Sequence, residues 1–92
     1  MSDVTVTPLG DGQVAVEIVE GQARTSHLVT VSEQLLGDLA LMEADAERLV
    51  RESFRFLLER EKATQILPEF SLDQIGDYFP EYRSEIAARV AP

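Results

Sequence analysis

The sequence contains no cysteine, and this absence excludes several kinds of chemistry. A disulfide framework, a thiolate metal cluster and a cysteine nucleophile each require a thiol. Gly10 and Gly12 fit a hairpin turn, because the helix and lysine of a phosphate-binding loop do not follow them. The seventeen acidic residues always offer pairs of carboxylates, but nothing in the sequence singles out one pair. We therefore predict a protein that is not an enzyme and that uses no metal or other cofactor.

Long hydrophobic runs are also missing from the chain. No window approaches the roughly 18 consecutive apolar residues of a membrane-spanning helix. The N-terminal residues lack the basic start and the apolar stretch of a signal peptide. The chain has 92 residues, of which 45% are apolar and 27% are charged, and this composition is typical of a folded protein. The sequence thus predicts one cytoplasmic domain over residues 1–92 that makes no membrane contact.

Basic residues are scarce, with eight lysines and arginines against seventeen acidic residues and a net charge of -9. A field of that sign repels phosphate groups, so nucleic acid is a disfavoured partner. A protein partner that is basic or neutral, or a second copy of the chain, is the easier expectation. Five of the eight basic residues lie within residues 48–62. Four of them form what we call the basic stripe, a candidate partner contact along one side of a predicted helix: Arg48, Arg51, Arg55 and Lys62.

The first third of the chain alternates between apolar and polar residues with the period of two that is typical of half-buried strands. This pattern predicts strands over residues 3–7, 13–19 and 23–31. The Asp-Gly pair at residues 11–12 favours a tight hairpin turn between the first two. Together these features predict a three-stranded antiparallel β-meander.

Helical signals follow the strands. Ser32 is placed to cap a short helix over residues 33–41. The strongest helical pattern covers residues 45–61, where apolar residues recur at three- and four-residue steps and Asp45 is placed as the cap. The pattern therefore predicts one long amphipathic helix with a single buried side.

Two short helices are predicted near the end of the chain. Ser71 and Gln74 match a capping box that begins a helix over residues 72–79. Pro80 should end that helix and begin another over residues 81–90. The predicted fold is therefore α+β, with the three-stranded antiparallel meander packed on the central long helix and short helices closing the sides.

Several aromatic residues crowd the segment in which these last helices meet. Large rings bury about 150–250 Å² each, so they are suited to anchoring short helices. The alternative is an exposed patch that contacts a partner. The cluster consists of Phe70, Tyr78, Phe79 and Tyr82.

Two further residues are considered for a functional role because of their position in the sequence. Phe56 lies off the apolar side of the predicted long helix, so we expect it, together with the edges of the small sheet, to be available to a partner. His27 is the only histidine, and its neighbour Ser26 points to the opposite face of the strand. A catalytic triad between them is thus excluded, and we interpret His27 as an ordinary residue of the sheet surface.

The order of a strand, a short helix and a longer helix over residues 27–62 resembles ribbon-helix-helix proteins, whose dimers place a two-stranded ribbon in the major groove of DNA. That resemblance implies a transcriptional regulator or an antitoxin-like protein, and the basic stripe is the feature such a protein would use.

A second resemblance covers more of the chain. The motif "SFRFLLERE", followed by "IL", "FSLDQI" and "YFPEY", is similar to the ending of small uncharacterised prokaryotic proteins of about the length of this chain. It implies no activity, substrate or catalytic residue. We therefore expect a non-enzymatic accessory or protein-interaction module, and keep the nucleic-acid-binding regulator as the alternative.

Overall fold

The first three strands form where the alternating residues predict them. In the computed structural model, which describes residues 2–91, they are β1 (Ser2–Gly10), β2 (Gln13–Glu20) and β3 (Ala23–Thr30), each antiparallel to the next. The turn between β1 and β2 needs positive φ, and Gly12 adopts a φ of 77°. A Cβ at Gly12 would lie 3.0 Å from the carbonyl oxygen of Val31, so the chain also needs the small residue for close packing.

The sheet has a fourth strand that the sequence did not predict. β4 (Glu69–Ser71) pairs parallel to β3, with Phe70 beside Val29. The sheet is therefore mixed, in the order β1-β2-β3-β4, and the prediction of three antiparallel strands was wrong in this respect. A three-residue strand carries too few residues to show a period of two, and its partner lies far away in the sequence.

Four helices connect and cover the strands. They are α1 (Glu33–Asp38), α2 (Ala46–Leu58), α3 (Ile75–Tyr78) and α4 (Tyr82–Val90). The Ser32 hydroxyl accepts a hydrogen bond from the Leu35 amide at 3.0 Å, which confirms the predicted cap of α1. The fold is α+β, as predicted, with the helices on one face of the sheet.

Asp45 does not cap α2 as predicted. Its carboxylate accepts a hydrogen bond from the Met42 amide at 3.0 Å and closes a single 3₁₀ turn over Glu43–Asp45. The backbone of Asp45 is already helical, and its side chain makes no cap hydrogen bond to α2. The acidic residue therefore stabilises the turn before the helix, and α2 begins one residue later than predicted. It also ends at Leu58, three residues before the predicted end at residue 61.

The predicted break between the last two helices is present. Phe79 has an extended backbone, with φ -129° and ψ 91°, and α4 begins at Tyr82, two residues after Pro80. A proline disfavours helical geometry in the residue before it, which explains the break at Phe79. The 3₁₀ turn over Leu72–Gln74 leads into α3, so that helix is shorter than predicted.

Phe56 is fully buried, so the expectation that it would be available to a partner was wrong. α2 packs against two partners, because Phe54 lies 5.5 Å from the His27 ring of the sheet while Phe56 lies 5.3 Å from the Tyr82 ring of α4. The guanidinium of Arg60 covers the remaining side of the Phe56 ring at 3.6 Å. The buried arc of α2 is thus wider than the single side that the sequence indicated.

The aromatic cluster is divided between the core and the surface. Tyr82 is fully buried, Phe70 is buried and Phe79 is half-buried, so these three rings anchor the C-terminal helices as one of the two interpretations predicted. Tyr78 differs, because 66% of its surface is exposed to solvent. Both interpretations therefore apply, each to a different part of the cluster.

Candidate functional site

Two large side chains that remain exposed, Leu67 and Tyr78, lie on the same depression of the surface. Leu67 is 48% exposed and Tyr78 is 66% exposed, and between them is a cavity of about 240 Å³. We call this cavity the apolar groove, since seven of its ten lining residues are aliphatic or aromatic. The lining consists of Leu57, Glu61, Gln65, Ile66, Leu67, Phe70, Gln74, Ile75, Tyr78 and Phe79.

The backbone around Leu67 is fixed from β3. The carbonyl oxygen of Leu67 can only accept a hydrogen bond, so His27 Nδ1, at 2.7 Å, carries a hydrogen and donates it. The Leu28 amide donates to the carbonyl oxygen of Pro68 at 2.8 Å. With the main chain held on both sides, Leu67 keeps its side chain at the rim of the groove although burying it would be favourable.

These contacts also correct the interpretation of His27. The ring is only 5% exposed, so His27 is not a sheet-surface residue. Its second nitrogen lies 2.8 Å from the Thr25 hydroxyl, and its face packs against Phe54. Both ring nitrogens thus have partners, which is what a buried polar side chain requires. His27 acts as a structural link between the sheet and the groove.

The segment that leads from α2 to the groove is held by three further hydrogen bonds. The Glu61 amide donates to the Leu57 carbonyl at 2.7 Å, and the Lys62 amide donates to Gln65 Oε1 at 2.9 Å. The Ala63 amide donates to the Glu20 carboxylate at 3.1 Å, which ties the segment to the end of β2. One wall of the groove is therefore preformed.

The opposite wall is built by α3 and the turn before it. The Ser71 amide donates to Gln74 Oε1 at 2.8 Å, and the Asp73 amide donates to the Ser71 hydroxyl at 3.4 Å, which confirms the predicted capping box. Because this turn fixes the start of α3, it also fixes the direction in which Tyr78 projects at the end of that helix.

The groove is apolar, and what we call its acidic surround consists of Glu61 together with three acidic residues that adjoin lining residues in the sequence. Glu61 supplies the one carboxylate in its lining. The nearby chain adds three exposed acidic residues: Glu69, Asp73 and Asp77. A volume of about 240 Å³ lies below the roughly 300–1,000 Å³ of most small-molecule sites. Within residues 2–91, no group of three or more histidine and acidic side chains is placed to hold a metal ion.

The residues of the basic stripe do not form one continuous helical side, and its arginines contact other groups of the chain. Arg48 Nη2 donates to the carbonyl oxygen of Val90 at 2.6 Å, where it satisfies the end of α4. Arg55 pairs with Glu52 at 2.5 Å, and Arg51 lies 3.9 Å from a carboxylate oxygen of Glu47. Lys62 follows the end of α2, so it does not extend the helical side on which the three arginines lie. The three arginines are thus engaged within the chain.

Ion pairs join α4 to the end of α2 around Phe56. Arg89 lies 2.7 Å from Glu59 and 3.2 Å from Glu85, and Arg60 lies 2.8 Å from Glu85. The hydrogen bond from Arg89 lowers the pKa of the Glu59 carboxyl below its ordinary value. These exposed pairs are individually weak, but the two guanidinium groups also cover the Phe56 ring.

The Tyr82 hydroxyl lies in the core between α4 and α2. It is 2.7 Å from the Ser53 hydroxyl, which is also fully buried. Burial raises the pKa of Tyr82 to about 12, because an anion would lose its hydration there, while the hydrogen bond from Ser53 acts in the opposite direction. This pair satisfies both polar groups where the two helices cross.

Comparisons with protein-family models, with curated proteins and with solved structures each returned no significant match. Across residues 2–91, no helix has both the length and the apolar character needed to cross a membrane.

Sequence reasoning missed the groove, although one signal pointed to it. Ile66 and Leu67 are adjacent apolar residues just before Pro68, in a segment with no regular structure. Neighbouring side chains of an extended chain point in opposite directions, so one of the two is exposed when the other is buried. Ile66 is indeed buried and Leu67 is exposed.

Proposed function

We propose that the protein is a non-enzymatic protein-interaction module whose apolar groove binds a short segment of a basic partner protein. The observation that carries the proposal is the pairing of Leu67 and Tyr78 as exposed rims of one cavity with an acidic surround. A large apolar side chain of the partner enters between these two residues. Buried aromatic anchors of this kind dominate the affinity of many interfaces.

The charge of the chain supports a basic partner. The net charge of -9 attracts cationic segments over long range, and the exposed Glu69, Asp73 and Asp77 lie close in sequence to the residues that line the groove. Lysine or arginine residues that flank the apolar anchor would be attracted to these carboxylates, of which Asp73 also lies 3.7 Å from Arg83. Such complementarity raises the association rate and discriminates against acidic partners.

The size and preorganisation of the groove support a peptide segment over a larger ligand. A cavity of about 240 Å³ suits one or two side chains, and both walls are held by hydrogen bonds before any partner arrives. A preformed site avoids the entropic cost of ordering on binding. The partner, by contrast, supplies a flexible segment that becomes ordered in the groove.

The pairing of β3 disfavours the ribbon-helix-helix alternative. In that class of protein the strand before the two helices pairs with the same strand of a second copy. Here β3 is that strand, and within its own chain it pairs with β2 along its length and with β4 over Leu28–Thr30. The arginines of the basic stripe are also engaged by other groups of the chain.

A random peptide library displayed on phage tests the proposal. We expect selection against the protein to enrich peptides that combine a large apolar residue with flanking lysine or arginine. In NMR titrations those peptides should shift the resonances of Leu67 and Tyr78. Tyr78→Ala should weaken their binding by roughly 5- to 30-fold, as is usual for an anchor residue.

Leu9→Ala is the matched control, since Leu9 is also an exposed apolar side chain but lies at the far end of β1 and outside the groove. We expect it to leave peptide binding unchanged. Enrichment of acidic peptides, or equal loss of binding in the Tyr78 and Leu9 variants, would contradict the proposal.

A further inference from the structure

β1 is an edge strand with one side unpaired. In the sheet order β1-β2-β3-β4, its only neighbour is β2. It has nine residues, whereas the strand at the opposite edge has three. A long unpaired edge presents a row of amide and carbonyl groups to which another strand can bind. The sequence of the edge, Asp-Val-Thr-Val-Thr over residues 3–7, is rich in the β-branched residues that favour strand pairing.

The direction of the backbone groups on β1 follows from the ladder beside it. The Val31 amide donates to the Gly12 carbonyl at 2.7 Å, and hydrogen-bonded pairs alternate along an antiparallel ladder. The even-numbered residues of β2 therefore form their backbone hydrogen bonds with β3, and the odd-numbered residues form theirs with β1. Since Thr5 pairs with Glu17, the odd-numbered residues of β1 are the ones whose backbone amides and carbonyls form hydrogen bonds with β2. The amides of Val4 and Val6 therefore point away from β2, toward the side of β1 that has no neighbouring strand.

Pro8 is also one of the residues of β1 whose backbone groups point away from β2. A proline has no amide hydrogen, and within sheets it is confined to edges where that hydrogen would point to solvent. The pairing of β1 with β2 is regular from Ser2 to Pro8 and shifts between Pro8 and Gly10, so the regular part of the edge has Thr5 at its centre. Any strand that adds to this edge is thus centred near Thr5.

The surface beside this edge is suited to a second copy of the chain. Two copies carrying a net charge of -9 repel each other, and an acidic patch facing itself would repel further. Next to β1, however, Val4 and Leu58 form an apolar floor surrounded by equal numbers of both charges. The charged residues are Glu52, Glu59, Arg55 and Arg89. Glu52 is paired with Arg55 and Glu59 with Arg89, so this patch carries no net charge and does not add to the repulsion between two copies.

We propose that two copies of the chain associate through antiparallel pairing of their β1 strands, with the two-fold axis at Thr5. In this register Val4 of one copy lies opposite Val6 of the other, and each such pair exchanges N–H···O=C hydrogen bonds from the outward groups. Thr5 lies opposite Thr5, and Asp3 lies opposite Thr7. The register keeps the two Asp3 carboxylates apart, and the new ladder ends at Pro8, which lies opposite Ser2 and has no hydrogen to donate. The two sheets become one continuous sheet.

Self-association and amide exchange test the pairing directly. Sedimentation equilibrium of the full chain should show a dimer whose fraction rises with concentration. Hydrogen exchange followed by NMR should show that the amides of Val4 and Val6 become protected as the dimer forms, because they have no partner in the single chain. A chain that stays monomeric at millimolar concentration overturns the proposal. So does exchange at these two amides that does not depend on concentration.

Two lysine variants test the register. Thr7→Lys places a lysine opposite Asp3 of the second copy, while Thr5→Lys places a lysine opposite a lysine. Both side chains are exposed on the same face of β1, and both variants change the net charge equally, so each is the control for the other. We expect Thr7→Lys to tighten the dimer by roughly 2- to 30-fold and Thr5→Lys to weaken it.

Shifts of the same sign in both lysine variants, or shifts opposite to these, overturn the register. Far-ultraviolet circular dichroism of each variant confirms that the fold is kept. Tyr78→Ala lies in the groove and not at β1, so its dimer dissociation constant should equal that of the original chain. This comparison separates the β1 contact from the peptide-binding proposal, since either can fail without the other.

Discussion

At the scale of single residues, the buried hydrogen bond between Tyr82 and Ser53 shows how two polar groups can be part of an apolar core. Their hydroxyl oxygens are 2.7 Å apart and neither residue is exposed. A buried hydroxyl without a partner would cost about 1–3 kcal/mol, so each of the two residues is needed for the other. The pair also determines how the protein responds to alkali.

Stability should fall steeply between pH 10 and pH 12 because of Tyr82. The unfolded chain releases the phenolic proton above its ordinary pKa of 10.0, whereas burial holds the pKa of Tyr82 at about 12 in the folded chain. The unfolded state therefore binds fewer protons in this interval, and the free energy of unfolding decreases as the pH rises. The decrease should reach about 3 kcal/mol, measured by urea denaturation at a series of pH values.

Tyr82→Phe and Tyr78→Phe are a matched pair for this measurement, since each removes one tyrosine hydroxyl. The Tyr82 variant should lose the steep alkaline decrease, while the variant of the exposed Tyr78 should keep it. An unchanged pH dependence in Tyr82→Phe would show that another group controls the alkaline transition.

At the scale of elements, α2 determines the packing of both halves of the fold. It faces the sheet through Phe54 and faces α4 through Ser53 and Phe56. The ring of Phe56 is in turn enclosed by Phe79, at 5.9 Å, and by the Arg60 guanidinium. The contact between α2 and the C-terminal helices is therefore centred on one aromatic residue.

Phe56→Ala should destabilise the protein by about 3–5 kcal/mol, since it removes a large buried ring and leaves a cavity that the helices cannot fully close. The loss should appear as a lower midpoint in urea denaturation. Tyr78→Ala is the control, because it removes a comparable ring from an exposed position and should change the free energy of unfolding by much less. Equal effects of the two substitutions would contradict the central position of Phe56.

The same elements show what the sequence could predict. The alternation over β1–β3, the Ser32 cap and the Ser71 capping box are local patterns, and the structure confirms them. The pairing of β4 with β3 and the second buried side of α2 depend on which elements meet in three dimensions. No local sequence pattern near Phe56 or Phe70 indicates those contacts.

Apart from the adjacent apolar residues before Pro68, the groove could not be predicted for the same reason. Its lining comes from the end of α2, the irregular segment around Leu67, β4 and α3. The main-chain position of Leu67 depends on His27, which is 40 residues away in the sequence. A sequence pattern can identify an apolar residue, but it cannot show that a distant side chain keeps that residue exposed.

At the scale of the whole molecule, the net charge of -9 acts on the two proposed contacts in opposite ways. A basic peptide is attracted to the chain, whereas a second copy is repelled by it except at the balanced patch beside β1. Dissolved salt screens both effects. The salt dependence of binding therefore distinguishes the two contacts.

Raising the salt concentration from about 0.01 M to about 0.15 M shortens the screening length from roughly 30 Å to roughly 8 Å. Over this range the dissociation constant of a selected basic peptide should increase, while that of the β1 dimer should decrease. Calorimetry and sedimentation equilibrium measure the two constants. Peptide binding that does not weaken with salt would show that the acidic surround of the groove contributes nothing to recognition.

The parallel pairing of β4 with β3 has a consequence for how the chain folds. The antiparallel hairpins join residues that are close in the sequence, but β4 is separated from β3 by the residues that form α1 and α2, and closing so long a loop is entropically costly. The three-residue strand should therefore form late and open early. A peptide held beside it would bind only the completed fold, so it would also slow the first step by which the chain comes apart.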